Sequence, residues 1–448
     1  MRQYPLVSDR QLDDILAWRP SGPVSVRDFV ADAQAMVGRL PSGAWVLNLC
    51  EDRYHFAVVF AACVLGEKTS LQPASQSAET LYRLAQDYPG AFCVKDDGAA
   101  DAPGLPCVNY RDVSPGERPP VDHIPWLATD RVVAILFTSG STGLPQPHGK
   151  TWGKLIQNGR AEALGLGLSQ RPHVLVGTVP VQHSYGFEST LLLALHGGCS
   201  FWSGKPFYPQ DVVDVLHTVP RPRMLVTTPY HLSTLLASGL ELPVLDICLS
   251  ATAPLSNKFA VEFESRTGAV VHEIYGSTES SQLACRRTAD EAGWRLLPGV
   301  ALAQEGDITC AFDGHVEGRV PLSDIIELLA DGRFLLHGRH ADLVNIAGKR
   351  TSLAYLNHQL CAIAGVRDGA FFLPDCGAAK GVTRLAAFVV APELRREELL
   401  AALRLRIDSI FLPRPLVQVE SLPRNSTGKL PRSVLQALYQ EQGTHGRH

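Results

Sequence analysis

Short apolar stretches alternate with amphipathic ones through the first 280 residues of the chain. WVLNL (45–49) and VVAILF (132–137) have the β-branched and aliphatic character of buried strands. YHFAVVFAACVLG (54–66) and ETLYRLAQDY (79–88) have the length and spacing of helices, and a further helix is expected over 9–18. Strands that alternate with helices predict an α/β protein with a doubly wound sheet.

The pattern changes twice towards the carboxyl end. From 281 to 338, short strands with Gly and Asp turns predict a small β-barrel-like subdomain. Beyond Arg339, helices and strands make an α+β unit of about a hundred residues, a usual size for a small domain. We therefore predict a large N-terminal domain over 1–340 and a small, mobile C-terminal domain over 341–448.

Composition narrows the class of protein. The 448 residues are 45% hydrophobic and 19% charged, so the chain can bury a sizeable core. A net charge of −4 gives no strong field to recruit nucleic acid. The longest apolar run, 56–65, is far shorter than the roughly 20 residues of a spanning helix, so no membrane span is predicted. Ten scattered cysteines without a Cys-x-x-Cys pair predict reduced thiols and a cytoplasmic protein.

A loop of Thr, Ser and Gly follows the strand at 132–137. It consists of Thr138, Ser139, Gly140, Ser141, Thr142 and Gly143. Glycines let the backbone approach a ligand, and backbone N–H groups together with four hydroxyls can bind phosphate oxygens. A polyphosphate site is therefore predicted here, at the end of a strand.

Other interpretations of this loop are weaker. A Walker A motif requires four residues between its glycines, whereas five separate Gly143 from Gly149, and Pro145 and Pro147 lack N–H donors. A nucleophile elbow requires Gly at the position of Ser139. A flexible surface loop remains the plain alternative.

Five later stretches turn the loop into a pattern. TSGSTGLP (138–145), SATAP (250–254), YGSTE (275–279), LSD (322–324), GRHADLVNIAGKR (338–350) and PRNSTGKLPR (423–432) occur in this order. Together they resemble the motifs of the adenylate-forming superfamily, which includes acyl- and aryl-CoA synthetases, luciferases and peptide-synthetase adenylation domains. The resemblance covers nearly the whole chain.

The resemblance implies a role for each motif. Lys429 would be the catalytic lysine that bridges the carboxylate and the α-phosphate of ATP, and Glu279 would hold Mg²⁺. Asp324 would bind both ribose hydroxyls, Arg339 would bind ribose or phosphate, and His183 would gate the acid pocket. The remaining nucleotide-binding residues would be Ala251, Thr252, Ala253, Tyr275, Gly276, Ser277 and Thr278, with Ser250, Ala251 and Gly276 also beside the acid.

Two departures from the family pattern stand out. Gln146 occupies the place of a usual lysine, so that Lys150 or His148 would have to supply the charge. Ala341 stands where a hinge Asp or Lys is usual, with Asp342 one position later.

The implied reaction joins ATP to a carboxylic acid and then passes the acyl group to a thiol. The acid is expected to be aryl, such as a hydroxybenzoate, or medium-chain acyl, and the small size resembles ligases of aryl-polyene and pigment pathways. The acceptor would be CoA or the phosphopantetheine of an acyl carrier protein. Two alternatives stay open: an amino-acid-adenylating domain, for which Glu188 is a poor substitute for the usual Asp, and a non-catalytic sensor of nucleotide or acyl-adenylate.

Overall fold

The structure is a computed structural model, in which the chain forms two compact units. It describes residues 2–445 apart from 74, 98–101, 103, 140–144, 169–170, 291–292, 340–341, 347–348, 375–383 and 425–429. The larger unit contains residues 1–251, 259–303 and 311–320, and the smaller one residues 252–258, 304–310 and 321–448.

Two groups of elements make up the part of the chain before residue 322. The strands are β1 (Gln3–Pro5), β2 (Ile15–Arg19), β3 (Gly22–Ser25), β4 (Trp45–Asn48), β5 (Thr69–Gln72), β6 (Phe92–Lys95), β7 (Cys107–Asn109), β8 (Trp126–Ala128), β9 (Val132–Ser139), β10 (Pro145–Thr151), β11 (Val174–Gly177), β12 (Ser200–Trp202), β13 (Arg223–Thr227), β14 (Ile247–Ser250), β15 (Val270–Ser277), β16 (Ser281–Arg287), β17 (Trp294–Leu296), β18 (Ala301–Glu305), β19 (Ile308–Phe312) and β20 (Arg319–Pro321). The helices are α1 (Val26–Val37), α2 (Arg53–Leu65), α3 (Ala78–Asp87), α4 (Trp152–Gly165), α5 (Ser184–Gly186), α6 (Leu193–His196), α7 (Pro209–Thr218), α8 (Pro229–Ala237) and α9 (Asn257–Thr267), with a π-helical stretch over Phe187–Leu192.

The first sheet of the larger unit carries the Thr/Ser/Gly loop. Its strand order is β10-β9-β5-β4-β6-β7, with β10 antiparallel to β9 and the other pairs parallel. The sequence interpretation missed β10 because Pro145 and Pro147 lie in it. Proline is tolerated at a sheet edge, where an N–H can face away from the neighbouring strand, and β10 is such an edge.

The second sheet brings together the ends of several parallel strands. Within the larger unit its order is β17-β16-β15-β14-β13-β11-β12-β2-β3. The strands from β15 to β2 pair in parallel, so their carboxyl ends meet at one edge. The helix predicted over 9–18 is wrong, because Ile15–Arg19 is strand β2, which β12 and β3 pair on either side. Sheet pairing overrides the weak helical pattern there.

The later strands form open sheets. β18, β19 and β20 belong to a three-stranded sheet. β21 (Asp324–Leu328) and β22 (Arg333–Arg339) form an antiparallel hairpin of the smaller unit. The strands in the described ranges do not close into a barrel.

The smaller unit has a sheet with a core on each face. Its remaining elements are β23 (Leu343–Ile346), β24 (Lys349–Ser352), α10 (Leu353–Cys361), β25 (Asp368–Phe372), β26 (Ala386–Val390), α11 (Arg396–Arg404), β27 (Leu416–Gln418) and α12 (Arg432–His445). Phe371 of β25 packs with Leu360 and Leu399, whereas its neighbour Phe372 packs with Leu435 of α12. Successive side chains of a strand point to opposite faces, so β25 serves both cores.

The expectation of ten reduced cysteines is wrong for one pair. Cys93 and Cys107 form a disulfide across the parallel strands β6 and β7, where they are register partners with Cα atoms 4.6 Å apart. No local pattern indicates this disulfide, because it depends on the pairing of β6 with β7. The prediction of a cytoplasmic protein rested partly on the thiols and stays a prediction. None of the helices in the described ranges has the length and apolar character needed to cross a membrane.

Glu162 of α4 lies wholly inside the larger unit, with no exposed surface. Burial raises the pKa of Glu162 from 4.5 to about 8, although Ser189 and Gln282 lie close enough to favour its charged form. The unfolded chain therefore releases this proton first as pH rises. Stability should fall between about pH 4.5 and about pH 8 as the unfolded state alone becomes charged.

We expect Glu162→Gln to remove this pH dependence. The difference in free energy of unfolding between Glu162→Gln and the unsubstituted protein should shift in favour of the variant from about pH 5 to about pH 8. Guanidinium unfolding at both pH values measures it. Glu79→Gln is the matched control, since the Glu79 side chain is 88% exposed. An equal difference at both pH values would contradict the raised pKa.

Candidate functional site

The hairpin of β9 and β10 places a hydroxyl beside an imidazole at the start of the Thr/Ser/Gly loop. Thr138 lies near the end of β9, and Thr138 Oγ1 shares a hydrogen bond of 3.0 Å with His148 Nε2. Ser139 ends the strand opposite Pro145. The next predicted residues, Gly140, Ser141, Thr142 and Gly143, lie outside the described residues. The described base of the loop is therefore polar on both strands.

The turn between β15 and β16 carries the predicted metal ligand. Gly276 comes so close to β16 that a Cβ atom there would lie 2.2 Å from the backbone oxygen of Ser281. Ser277 and Ser280 bond each other, with the backbone N–H of Ser277 donating to Ser280 Oγ at 3.2 Å. This pair of serines fixes the turn, and Thr278 and Glu279 project from it, both partly exposed.

Glu279 is held between two basic side chains. His148 Nε2 lies 3.7 Å from Glu279 Oε1. Lys150 Nζ donates to the backbone oxygen of Glu279 at 3.1 Å and to Ser281 Oγ at 3.0 Å. Burial favours the neutral acid, but the residue's own backbone N–H, Ser277, His148 and Lys150 outweigh it and lower the pKa of Glu279. The carboxylate is therefore charged at neutral pH.

The second sheet contributes the carboxyl ends of its parallel strands to the same edge at which β15 ends. Ser250 ends β14, is wholly buried and is the register partner of Thr227 and Glu273; Ala251 follows it. The Tyr185 hydroxyl lies 3.0 Å from the backbone oxygen of Thr227 and 2.9 Å from that of Leu249, and so ties the helix to these strand ends. His183 precedes α5 as its N-cap residue and is partly exposed.

The helix after His183 turns polar groups inwards. It passes through a π-helical stretch, a distortion that is frequent at functional sites. Glu188 is 2% exposed, and Ser184 Oγ donates to its carboxylate at 2.9 Å. Burial raises the pKa of Glu188, partly offset by the charge of Lys150. Glu188 is therefore engaged inside the protein, which does not favour a role in binding the amine of an amino acid.

The smaller unit holds further predicted residues. Asp324 and Arg339 are register partners in the β21–β22 hairpin, with Arg339 Nε 3.6 Å from Asp324 Oδ1. Thr252 belongs to this unit and has a φ of 79°, an uncommon value for a β-branched residue. Ala253 follows it. Lys429 and Ala341 lie outside the described residues.

Comparison with known proteins decides the family. A family model described as AMP-binding enzyme matches residues 44–307, more than half of the 448-residue chain. The chain belongs to the AMP-binding enzyme family. The resemblance to adenylate-forming enzymes that the motifs indicated is thereby confirmed.

Two relatives of this chain are named as acid–CoA ligases. The 4-coumarate–CoA ligase of Rhodobacter capsulatus is 28% identical over 277 residues, covering 62% of this chain and 68% of that one. The 2-succinylbenzoate–CoA ligase of Bacillus velezensis is 23% identical over 454 aligned positions, covering 89% and 88%. The structure of ATP-bound MatB from Rhodopseudomonas palustris matches with a TM-score of 0.82 at 19% identity, covering 97% of both chains. The structural likeness confirms the predicted α/β fold with a large N-terminal and a smaller C-terminal part.

The residues of this AMP-binding enzyme fit a magnesium ion held jointly with a nucleotide. Within the described ranges, no three or more His, Cys, Asp or Glu side chains are grouped to hold a metal. Mg²⁺ usually takes one or two carboxylates and completes its shell with waters and substrate phosphates. The Glu279 carboxylate, charged and partly exposed at the turn, suits that arrangement.

Sequence reasoning missed the structural part played by Lys150. Lysine is rarely buried, yet the Lys150 side chain lies beneath the 275–281 turn and is 2% exposed. Burial lowers the pKa of Lys150, while Glu188, Glu317 and Glu279 oppose that shift. The period of two along β10 puts Gln146, His148 and Lys150 on one face, but it does not indicate which of them is buried, so no signal in the sequence could have found this role.

Gly276→Ala tests whether the turn needs its close approach. We expect the added methyl group to clash with the Ser281 oxygen, 2.2 Å away. The clash should lower the free energy of unfolding by about 1–3 kcal/mol and should also weaken nucleotide binding. Thermal unfolding and ATP binding measure the two effects. Gly116→Ala is the control, since its Cβ would meet nothing within 4 Å. A Gly276→Ala protein that equals this control would show that the turn can relax.

Proposed function

We propose that this AMP-binding enzyme activates a carboxylic acid with ATP, releases pyrophosphate and transfers the acyl group to a thiol. One observation carries the proposal: Thr138 at the base of the Thr/Ser/Gly loop and Glu279 on the 275–281 turn both contact His148. A loop suited to phosphate and a carboxylate suited to Mg²⁺ thus share one site. Such a site binds a triphosphate and leaves the adjoining strand ends for the acid.

The proposed chemistry follows from charge. A carboxylate is a poor electrophile, and its attack on the α-phosphate builds negative charge on the reacting oxygens. Lys429 would offset that charge, Thr138 to Gly143 would orient the departing pyrophosphate, and Glu279 would hold Mg²⁺, which neutralises phosphate charge when bound. Asp324 and Arg339 would hold the ribose, and Tyr275 would stack on the adenine.

The acid is proposed to be aryl, and the thiol to be that of CoA. The relatives named for 4-coumarate and 2-succinylbenzoate support both choices, since each is named as a CoA ligase of an acid that contains an aromatic ring. Ser250 and His183 near the strand ends would contact the carboxylate end of the acid. An acyl carrier protein is the alternative acceptor.

ATP–pyrophosphate exchange tests the proposal. The panel contains hydroxybenzoates, cinnamates, medium-chain fatty acids and amino acids, each with ATP and Mg²⁺. We expect exchange with an aryl acid, followed by thioester formation when CoA is added. Exchange only with amino acids would replace the aryl proposal by amino-acid activation. ATP binding without exchange by any acid would favour a nucleotide sensor instead.

A further inference from the structure

Three polar side chains lie along strand β10, which follows the Thr/Ser/Gly loop in the chain. Gln146, His148 and Lys150 alternate along it and therefore share one face. The family's usual lysine would stand at Gln146, which is exposed and neutral. A site that binds a triphosphate needs hydrogen-bond donors near the β- and γ-phosphates. The residues that could supply them beside Gln146 are His148 and Lys150.

Lys150 is engaged elsewhere. Its ammonium group donates to the backbone oxygen of Glu279 and to Ser281 Oγ, and the residue is 2% exposed. An ammonium has three donors, and two of them already hold the 275–281 turn in place. Lys150 therefore supports the turn from beneath and has little freedom to reach a ligand.

His148 has the freedom that Lys150 lacks. Its side chain is 22% exposed, and its Nε2 lies 3.0 Å from Thr138 Oγ1 and 3.7 Å from Glu279 Oε1. Nδ1 of His148 makes no hydrogen bond to the part of the chain that the structure describes. When Thr138 donates to Nε2, the neutral ring carries its proton on Nδ1, which is then a donor for a ligand.

We propose that His148 donates a hydrogen bond to the β- or γ-phosphate of ATP and takes the place of the lysine absent at Gln146. The inference rests on the proposed function, because it needs a triphosphate in the site. Thr138 orients the imidazole through the hydrogen bond to Nε2. His148 thereby becomes a binding residue for the pyrophosphate half of ATP.

Nucleotide binding measured by calorimetry tests the inference without any acid. For His148→Ala we expect Kd for ATP and for inorganic pyrophosphate to rise about 10- to 100-fold, while Kd for AMP stays within about twofold. His148→Gln keeps a donor and should recover part of the loss. His123→Ala is the matched control, because the His123 side chain is 77% exposed and bonds only its neighbour Asp122 among the described residues.

The outcomes separate this inference from the proposed function. If His148→Ala binds ATP and pyrophosphate as tightly as the unsubstituted protein, His148 is not a phosphate ligand. An equal loss of AMP binding would mean that the substitution only disturbs the site, and it would also overturn the inference. Failure of the unsubstituted protein to bind ATP would overturn the proposed function itself.

Discussion

Replacing Lys429 with alanine should reduce the rate of acyl-adenylate formation by about 10²–10³-fold, the usual loss when one group that stabilises transition-state charge is removed. The lysine follows Thr-Gly in PRNSTGKLPR, a stretch that resembles the family's catalytic motif. Its ammonium would offset the charge that builds as the carboxylate attacks the α-phosphate. The rate of ATP–pyrophosphate exchange measures this step.

The second half-reaction separates chemistry from folding. If Lys429 acts only in adenylation, Lys429→Ala should still form the thioester from added acyl-adenylate and CoA at close to the full rate. Lys205→Ala is the control, because among the described residues Lys205 makes only a loose ion pair with Glu51, 3.9 Å away. A Lys429→Ala protein with full adenylation would remove the catalytic role from this lysine.

Glu279→Gln should lower the exchange rate by about 10²-fold and raise the Mg²⁺ concentration needed for half-maximal activity. The substitution keeps the size of the side chain and removes the charge that His148 and Lys150 stabilise. The backbone oxygen of Glu279, which accepts from Lys150, is unchanged, so the turn should keep its shape. Exchange measured across a Mg²⁺ titration gives both quantities.

The control for this experiment is another glutamate in a comparable ion pair. Glu262 is partly exposed and lies 4.0 Å from Arg266, so Glu262→Gln should change neither the rate nor the Mg²⁺ requirement. Loss of rate without any change in Mg²⁺ requirement would assign Glu279 to the turn rather than to the metal. An unchanged rate would contradict its role altogether.

The regular elements of the fold could be predicted because their patterns are local. Apolar runs such as 132–137 and 54–66 correspond to β9 and α2. The failures lie where pairing partners decide the structure. Prolines hid β10, which is a strand because it lies at a sheet edge, and the helix expected over 9–18 is replaced by β2 between two partners.

The site could be predicted as a set of residues but not as a set of contacts. The motifs brought Thr138 and Glu279 to attention, yet their shared neighbour His148 depends on the register of β9 and β10 and on how the 275–281 turn packs. The choice between Lys150 and His148 likewise required burial, which no local pattern gives for a lysine. The pairing of Asp324 with Arg339 also depends on strand register, in this case that of the β21–β22 hairpin.

Isotope transfer from the acid to AMP tests the central claim most directly. An aryl acid that supports exchange is labelled with ¹⁸O in both carboxylate oxygens and incubated with ATP, Mg²⁺ and CoA. If a carboxylate oxygen attacks the α-phosphate and the thiol then attacks the carbonyl, mass spectrometry should find one ¹⁸O atom in each AMP formed. AMP without the label, or ADP in place of AMP, would contradict an acyl-adenylate intermediate.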